Sequence, residues 1–318
     1  MAELAPFGIE PRFTARVWGF RDLRPWYDRV AEGDPIGEVW LTGDDCLIAT
    51  GPHKGKRLAA LFAEAHDALL GAGAPSSDSP LLIKTIFARE KLSVQVHPDD
   101  KMAQKYGELR GKTECWYVLA AEPGAEVAVG VKPGTTLEQI EEEIHAGTLE
   151  ASLNAVPVTA GDVIFVDAGT IHAIWPGSIL LETQQNCDLT YRMFDYGRGR
   201  ELHIEKSLEA TKLTTRAGKI APRKLADRTV LVEAEYFRVE RVPVESDRTS
   251  ESLRGGEKPG LAYLFAAAGS GRLLGAGFEP VELPARGIVA VPAVSPEFVL
   301  EDLGGSGEKL DLIRITPN

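Results

Sequence analysis

Short apolar runs of period two, each closed by glycine or proline, fill most of this chain and confine it to a fold of strands and turns. The clearest is KLSVQVH (91–97), where Leu92, Val94 and Val96 share one face and Ser93, Gln95 and His97 share the other. LLIKTIFA (81–88) reads as a strand buried on both faces, and TECWYVLAA (113–121), AEVAVGV (125–131) and GDVIFVDAG (161–169) follow as further strands. SILLETQQ (178–185) and DLTYRMFDYG (188–197) complete a central block. The punctuation comes from 32 glycines and 20 prolines in 318 residues, which favours many short strands over long helices. Two stretches break the rule. Leu58, Leu61, Phe62, Ala65 and Leu69 recur at helical spacing and end in the loop GAGAPSSDSP (71–80). LEQIEEEIHAG follows Thr135 or Thr136 as N-cap and stops at Gly147, with Glu141, Glu142 and Glu143 on a solvated face.

The pattern shifts at TTRAGKIAPRKLADR (214–228), a basic, mostly polar stretch that suits a linker. Beyond it YFRVERVPV, LAYLFAAAG, GRLLGAG, RGIVAVPA and KLDLIRI read as strands of a smaller β domain. The expected organisation is a first domain over 1–215, a linker over 216–228 and a second domain over 229–318. All six histidines lie at or before His203, so the last third cannot carry a histidine-based metal site. Its RGIVAVPAVSPEF segment echoes the earlier GDVIFVDAGTIH, with Glu297 where the histidine would fall, as in a degenerate repeat.

Charge and cysteine usage exclude several classes. A formal net charge of -12 and a pI near 5.1 oppose binding to nucleic acid or anionic membrane, so positive charge for an anionic ligand must be local. Cys46, Cys115 and Cys187 form no CxxC pair, which argues against a disulfide framework and suits a reducing cytoplasm. The opening MAELAPFGIEPRFTARVWGF lacks secretory-signal features, and no apolar run approaches the roughly 20 residues of a membrane span.

Three pieces carry candidate chemistry. Gln95 and His97 stand at i and i+2 on one strand and point the same way. Glu114 shares a strand face with Trp116 rather than with Cys115. His172 follows a strand and the AGT turn at 168–170. Two imidazoles, a carboxylate and an amide oxygen suit a divalent ion of borderline hardness such as Zn²⁺, with a position left for water or substrate. Each piece alone is most simply structural; His97, for example, would cap a turn before Pro98. Trp18, Trp40 and Trp116 read as core residues.

The GDxxxxxAGxxH string at 161–172 resembles the second motif of cupins, with Asp167 in place of a usual proline. SVQVHPDD (93–100), GKTECWYVLAA (111–121), AGTIHAI (168–174) and ETQQNCDLTYRMFDYGR (182–198) resemble the signature blocks of type I mannose-6-phosphate isomerases. RVWGF (16–20) and IGEVW (36–40) match that family's opening segments, and the likeness spans about residues 10–205 in order. Phe20, Asp167 and Cys187 depart from the family pattern, and none is a ligand position. The single helix between Glu114 and His172 resembles the compact bacterial form.

The resemblance implies a mainly β fold: a cupin (jelly-roll-like) barrel with a few helices, plus a smaller, metal-free C-terminal β domain. It implies one Zn²⁺ per chain held by Gln95, His97, Glu114 and His172, with Arg192, Lys112 and Glu182 as the catalytic set. The implied reaction interconverts D-mannose 6-phosphate and D-fructose 6-phosphate through an enediol, with a small sugar phosphate as the partner. The oligomeric state is left open.

On residue chemistry alone, Arg192 can equally pair with Asp195 or Asp188, and Lys112 can be an exposed turn lysine. Glu182 sits in the apolar run SILLE, where a carboxylate needs a partner such as Arg192 or Lys84. Lys84 and Arg198 are further candidates for phosphate contact. Two other functions suit part of the pattern: another metal-dependent cupin enzyme such as a non-haem iron oxygenase, or a non-catalytic sugar-binding cupin.

Overall fold

A computed structural model describes residues 4–73, 78–244, 248–249, 253, 260–304 and 307–318. The period-two runs become strands of four antiparallel sheets. The first is seven-stranded, in the order Gly218–Ile220, Val163–Val166, Glu114–Ala121, Ser178–Gln185, Leu81–Ala88, Ile36–Trp40, Arg12–Phe20. A five-stranded sheet faces it, in the order Tyr191–Phe194, Val94–Val96, His172–Ile174, Glu126–Val131, Leu153–Pro157. Trp116, Val118, Val127, Val129, Ile164 and Leu180 fill the space between them and make a closed barrel core.

A second seven-stranded sheet joins Phe7–Gly8, Ile288–Val291, Ala262–Ala268, Asp311–Pro317, Phe237–Pro243, Thr229–Glu233 and Arg223–Lys224. It packs back to back on the first. Leu81, Ile83, Phe87, Cys115, Tyr117 and Leu181 from one side meet Phe237, Tyr263, Phe265, Ile288 and Ile313 from the other. Its far face covers a four-stranded sheet over a second apolar core that includes Leu264, Leu273, Val289 and Leu312. This layering explains why Leu81–Ala88 shows no alternation of burial. Ile86 and Ala88 serve the barrel while Leu81, Ile83 and Phe87 serve the sheet-to-sheet core.

The helices follow their local signals. Leu58–Leu70 forms with a kink at Ala65, whose φ of -139° leaves the helical region. Leu137–Ala146 starts at Thr136, which accepts from Gln139 N, and closes at Gly147 with φ 72°. Together with Ile204–Ala210 it covers the outer face of the five-stranded sheet through Ile140, Ile144 and Ala210. Asp100–Lys105 and Ile204–Ala210 are too short for a period to show in the sequence, although Asp99 caps the first by accepting from Met102 N at 3.0 Å.

The expected strand over 188–197 shortens to Tyr191–Phe194, because Tyr196 at φ 54° and Gly197 at φ 74° turn the chain away. Residues 74–77 of the expected loop lie outside the described residues. The polar stretch 216–228 is sewn into both large sheets: Gly218–Ile220 pairs with Val163–Val166, and Arg223–Lys224 pairs with Thr229–Glu233. Ile288–Val291 and Phe298–Asp302 repeat the strand–turn–strand order of Val163–Val166 and His172–Ile174, and Glu297 is exposed at the matching turn. Among the described residues no helix is long and apolar enough to cross a membrane.

Candidate metal centre

Register brings the site together. Gln95 stands directly opposite His172 on one side and Arg192 on the other. His97 follows on the same face as Gln95, just past the strand end. From the facing sheet, Glu114 opens its strand opposite Gln184 and Val166, on the barrel face it shares with Trp116. Gly169 ties the two histidine segments by donating its N–H to His97 O at 2.8 Å. With φ 93° and Lys212 carbons 2.7 Å from where a Cβ would stand, that position suits glycine.

The four polar ends converge. Gln95 Nε2 lies 3.4 Å from His97 Nε2 and 3.3 Å from His172 Nε2. Glu114 Oε2 is 3.5 Å from His97 Nε2, and Glu114 Oε1 is 3.4 Å from His172 Nε2. Donors held about 2.0–2.1 Å from a tetrahedral ion sit about 3.3–3.4 Å from one another, which is the spacing seen here. His97 Nδ1 lies 2.8 Å from Leu189 O and His172 Nδ1 lies 2.9 Å from Thr170 O, so each Nδ1–H donates outward and each Nε2 keeps its lone pair for the centre.

Burial keeps both rings neutral: it holds His97 well below the ordinary imidazole range and His172 down to about 4. Glu114 is pushed up to about 7, first by burial and then by the charge of Glu182, against the pull of Lys112. Among the described residues neither of its oxygens has a neutral hydrogen-bond partner, and Lys112 Nζ lies 3.0 Å from Oε2. A buried carboxylate so placed is short of positive charge. The donor set therefore fits a divalent metal, with the Gln95 amide half-turned so that its oxygen faces inward.

A cavity of about 450 Å³ opens beside this centre. Gln95, Lys112, Glu182, Lys84 and Arg192 line it, with the apolar walls Trp18, Leu92 and Ile174. Lys112 is buried rather than an exposed turn lysine, and its Nζ lies 3.1 Å from His97 Nε2. Glu182 faces Lys84 and Trp116 across the sheet. It pairs with Lys84 Nζ at 2.8 Å and accepts from Trp116 Nε1 at 3.0 Å. Burial would raise its carboxyl, but Lys84 and Lys112 outweigh this and hold it down to about 2. Arg192 pairs with neither Asp195 nor Asp188 among the ion pairs of the described residues. Its Nη1 donates to Glu201 O at 2.8 Å and its Nε has no hydrogen-bond partner among the described residues. Asp195 is instead held by Arg198 and Arg200, and Arg198 stays outside the cavity lining.

Residue-level reading missed Glu38, Arg16 and Arg200, which also line the cavity. Arg16 binds Glu38 at 2.8 Å, and Lys84 lies 3.7 Å from the same carboxylate. The signal for Glu38 was present: a lone carboxylate in the apolar run IGEVW, the same reasoning that singled out Glu182. Asp167, where the motif usually has proline, receives the Arg216 backbone N–H at 2.8 Å and its guanidinium at 2.9 Å, anchoring the polar stretch.

Fold and site define the class: a cupin-like β protein whose two facing sheets gather a His–Glu–His cluster, ligand atoms within 4.8 Å of one another, of the kind that holds a metal ion. Comparison narrows this further. The profile of the phosphomannose isomerase type I catalytic domain matches residues 14–139. The mannose-6-phosphate isomerase of Streptococcus mutans is 36% identical over 288 residues, covering 86% of this chain and 87% of its own. Mannose-6-phosphate isomerase ManA of Bacillus subtilis is 35% identical over 285 residues, covering 85% and 87%. A crystal structure of the Bacillus subtilis mannose 6-phosphate isomerase superposes with a TM-score of 0.84 at 29% identity, covering 98% of this chain and 99% of that one. The chain belongs to the type I phosphomannose isomerase family and is an isomerase.

Proposed function

We propose that this chain interconverts D-mannose 6-phosphate and D-fructose 6-phosphate in the cavity beside Gln95, with one zinc ion held by Gln95, His97, Glu114 and His172. The observation that carries the metal reading is the spacing of 3.3–3.5 Å among four donors, of which His97, Glu114 and His172 are buried and Gln95 half-buried. A bound zinc would supply positive charge for the sugar oxygens without redox chemistry.

The remaining work falls to the chain's own groups. Isomerisation removes the proton at C2 of the aldose and returns one at C1, through an enediol whose oxygens gain negative charge. Arg192 presents a permanently charged, partly unpartnered fork to that charge or to the phosphate. Lys112 adds a second cation on the same wall. Glu182, fixed as an anion by Lys84 and Trp116, keeps lone pairs for a sugar hydroxyl or for the migrating proton. Trp18, Leu92 and Ile174 limit water around the reacting carbons.

A soluble, cytoplasmic setting, a catalytic barrel over 1–215, a linker over 216–228 and a metal-free second barrel over 229–318 belong to the same reading. The test is a coupled assay for conversion of mannose 6-phosphate, run beside glucose 6-phosphate, with zinc and iron measured on the purified protein. Turnover of the mannose ester that stops on chelation is the expected result. Oxygen uptake with bound iron and no isomerisation would contradict the reading.

A further inference from the structure

The cavity is built by the first seven-stranded sheet and the sheet facing it, yet a hydroxyl from beside the second seven-stranded sheet reaches, through Asp100, the segment that carries Lys112 into Glu114. Asp100 is the hub. Its Oδ1 accepts from Gly111 N at 2.7 Å and from Gln185 Nε2 at 2.9 Å. Gln185 Oε1 in turn accepts from Thr113 N at 2.9 Å. Lys112 is therefore flanked on both sides by backbone N–H groups held through one carboxylate. The other oxygen, Asp100 Oδ2, accepts from the hydroxyl of Tyr236 at 2.9 Å. Tyr236 stands beside Phe237–Pro243 in the second large sheet. Burial first, and then Asp100, raise the Tyr236 phenol far above its ordinary range, so it stays a donor. The approach is tight: a Cβ on Gly111 would meet the carbonyl carbon of Asp99 at 2.4 Å and Pro98 O at 2.5 Å.

We infer that Tyr236 is a positioning residue for the isomerase reaction, acting through Asp100 and Gln185 on the backbone that aims Lys112 and Glu114. This gives the C-terminal barrel a part in turnover, and it rests on the proposed isomerase function. Lys112 Nζ lies 3.1 Å from His97 and 3.0 Å from Glu114, so a small shift of residues 111–113 moves a cation relative to the reacting oxygens. Misplacement of that size lowers the rate without emptying the site.

The test uses zinc-loaded full-length protein. Tyr236→Phe removes one oxygen and is expected to lower kcat about tenfold, with KM, zinc content and Tm close to wild type. Asp100→Asn is expected to lower kcat at least as much, and the double variant to fall no further than Asp100→Asn alone, as for residues acting in series. Tyr27→Phe is the control. It removes a comparable bond between the barrels, Tyr27 Oη to Arg286 O at 2.9 Å, and is expected to keep wild-type kcat. Equal kcat in wild type and Tyr236→Phe would overturn the inference, as would losses that add in the double variant or follow Tm. Absence of turnover in the wild type would instead overturn the isomerase reading, so the two failures are distinguishable.

Discussion

At the residue scale, neutral imidazoles and an under-compensated carboxylate share one point. Replacing His172 with alanine is expected to leave three donors and to lower bound zinc at least tenfold, measured as metal per chain after dialysis against a competing chelator. Arg192→Ala is expected to lower kcat about 10²–10³-fold while metal content stays at one per chain. Loss of metal from that variant would refute its assigned role. Glu182 supplies a pH signature. Its folded pKa of about 2 lies below the ordinary glutamate value of about 4.3, so its ion pair contributes stability in full above that value and loses it as pH falls toward 2. The part of the Tm difference between wild type and Glu182→Gln that comes from this ion pair should shrink as pH falls below about 4.3.

Gln95 and His97 were legible as a pair because a strand fixes which side chains point together. The partner of Glu182 was not. Lys84 and Arg192 were equal choices in sequence, and only the register that sets Lys84 opposite Glu182 decides between them. Arg16 and Arg200 escaped for the same reason, since charges from different strands meet only once register sets them side by side, whereas Glu38 carried a local signal as a lone carboxylate in an apolar run.

At the scale of elements, turns and close approaches hold the strands in place. The approach of Gly111 to the Pro98–Asp99 backbone leaves no room for a side chain. Gly111→Ala is expected to cost about 1–3 kcal/mol of stability and to lower kcat, read by denaturant unfolding beside the coupled assay. The long apolar runs and the capped helix Leu137–Ala146 could be read directly, because period and cap are local. Helices Asp100–Lys105 and Ile204–Ala210 could not, since six or seven residues give fewer than two turns of pattern. The polar stretch 216–228 was read as a linker from composition, whereas the pairing of Gly218–Ile220 and Arg223–Lys224 with two different sheets depends on edges that composition does not reveal.

At the scale of the molecule, the two large sheets share one apolar core, so neither sheet completes its packing alone. Phe265 is fully buried in that core, and Phe265→Ala is expected to cost about 3–5 kcal/mol. Calorimetry should show the variant melting in one transition at lower temperature, with both large sheets lost together. Separate transitions would contradict the shared core. The central claim is that four side chains from two facing sheets hold one zinc ion beside the sugar-phosphate cavity. Its most direct measurement is anomalous diffraction at the zinc edge from crystals of active protein. One peak is expected about 2.0–2.1 Å from Gln95, His97, Glu114 and His172. Full activity in crystals whose zinc lies elsewhere, or that hold none, would contradict the account.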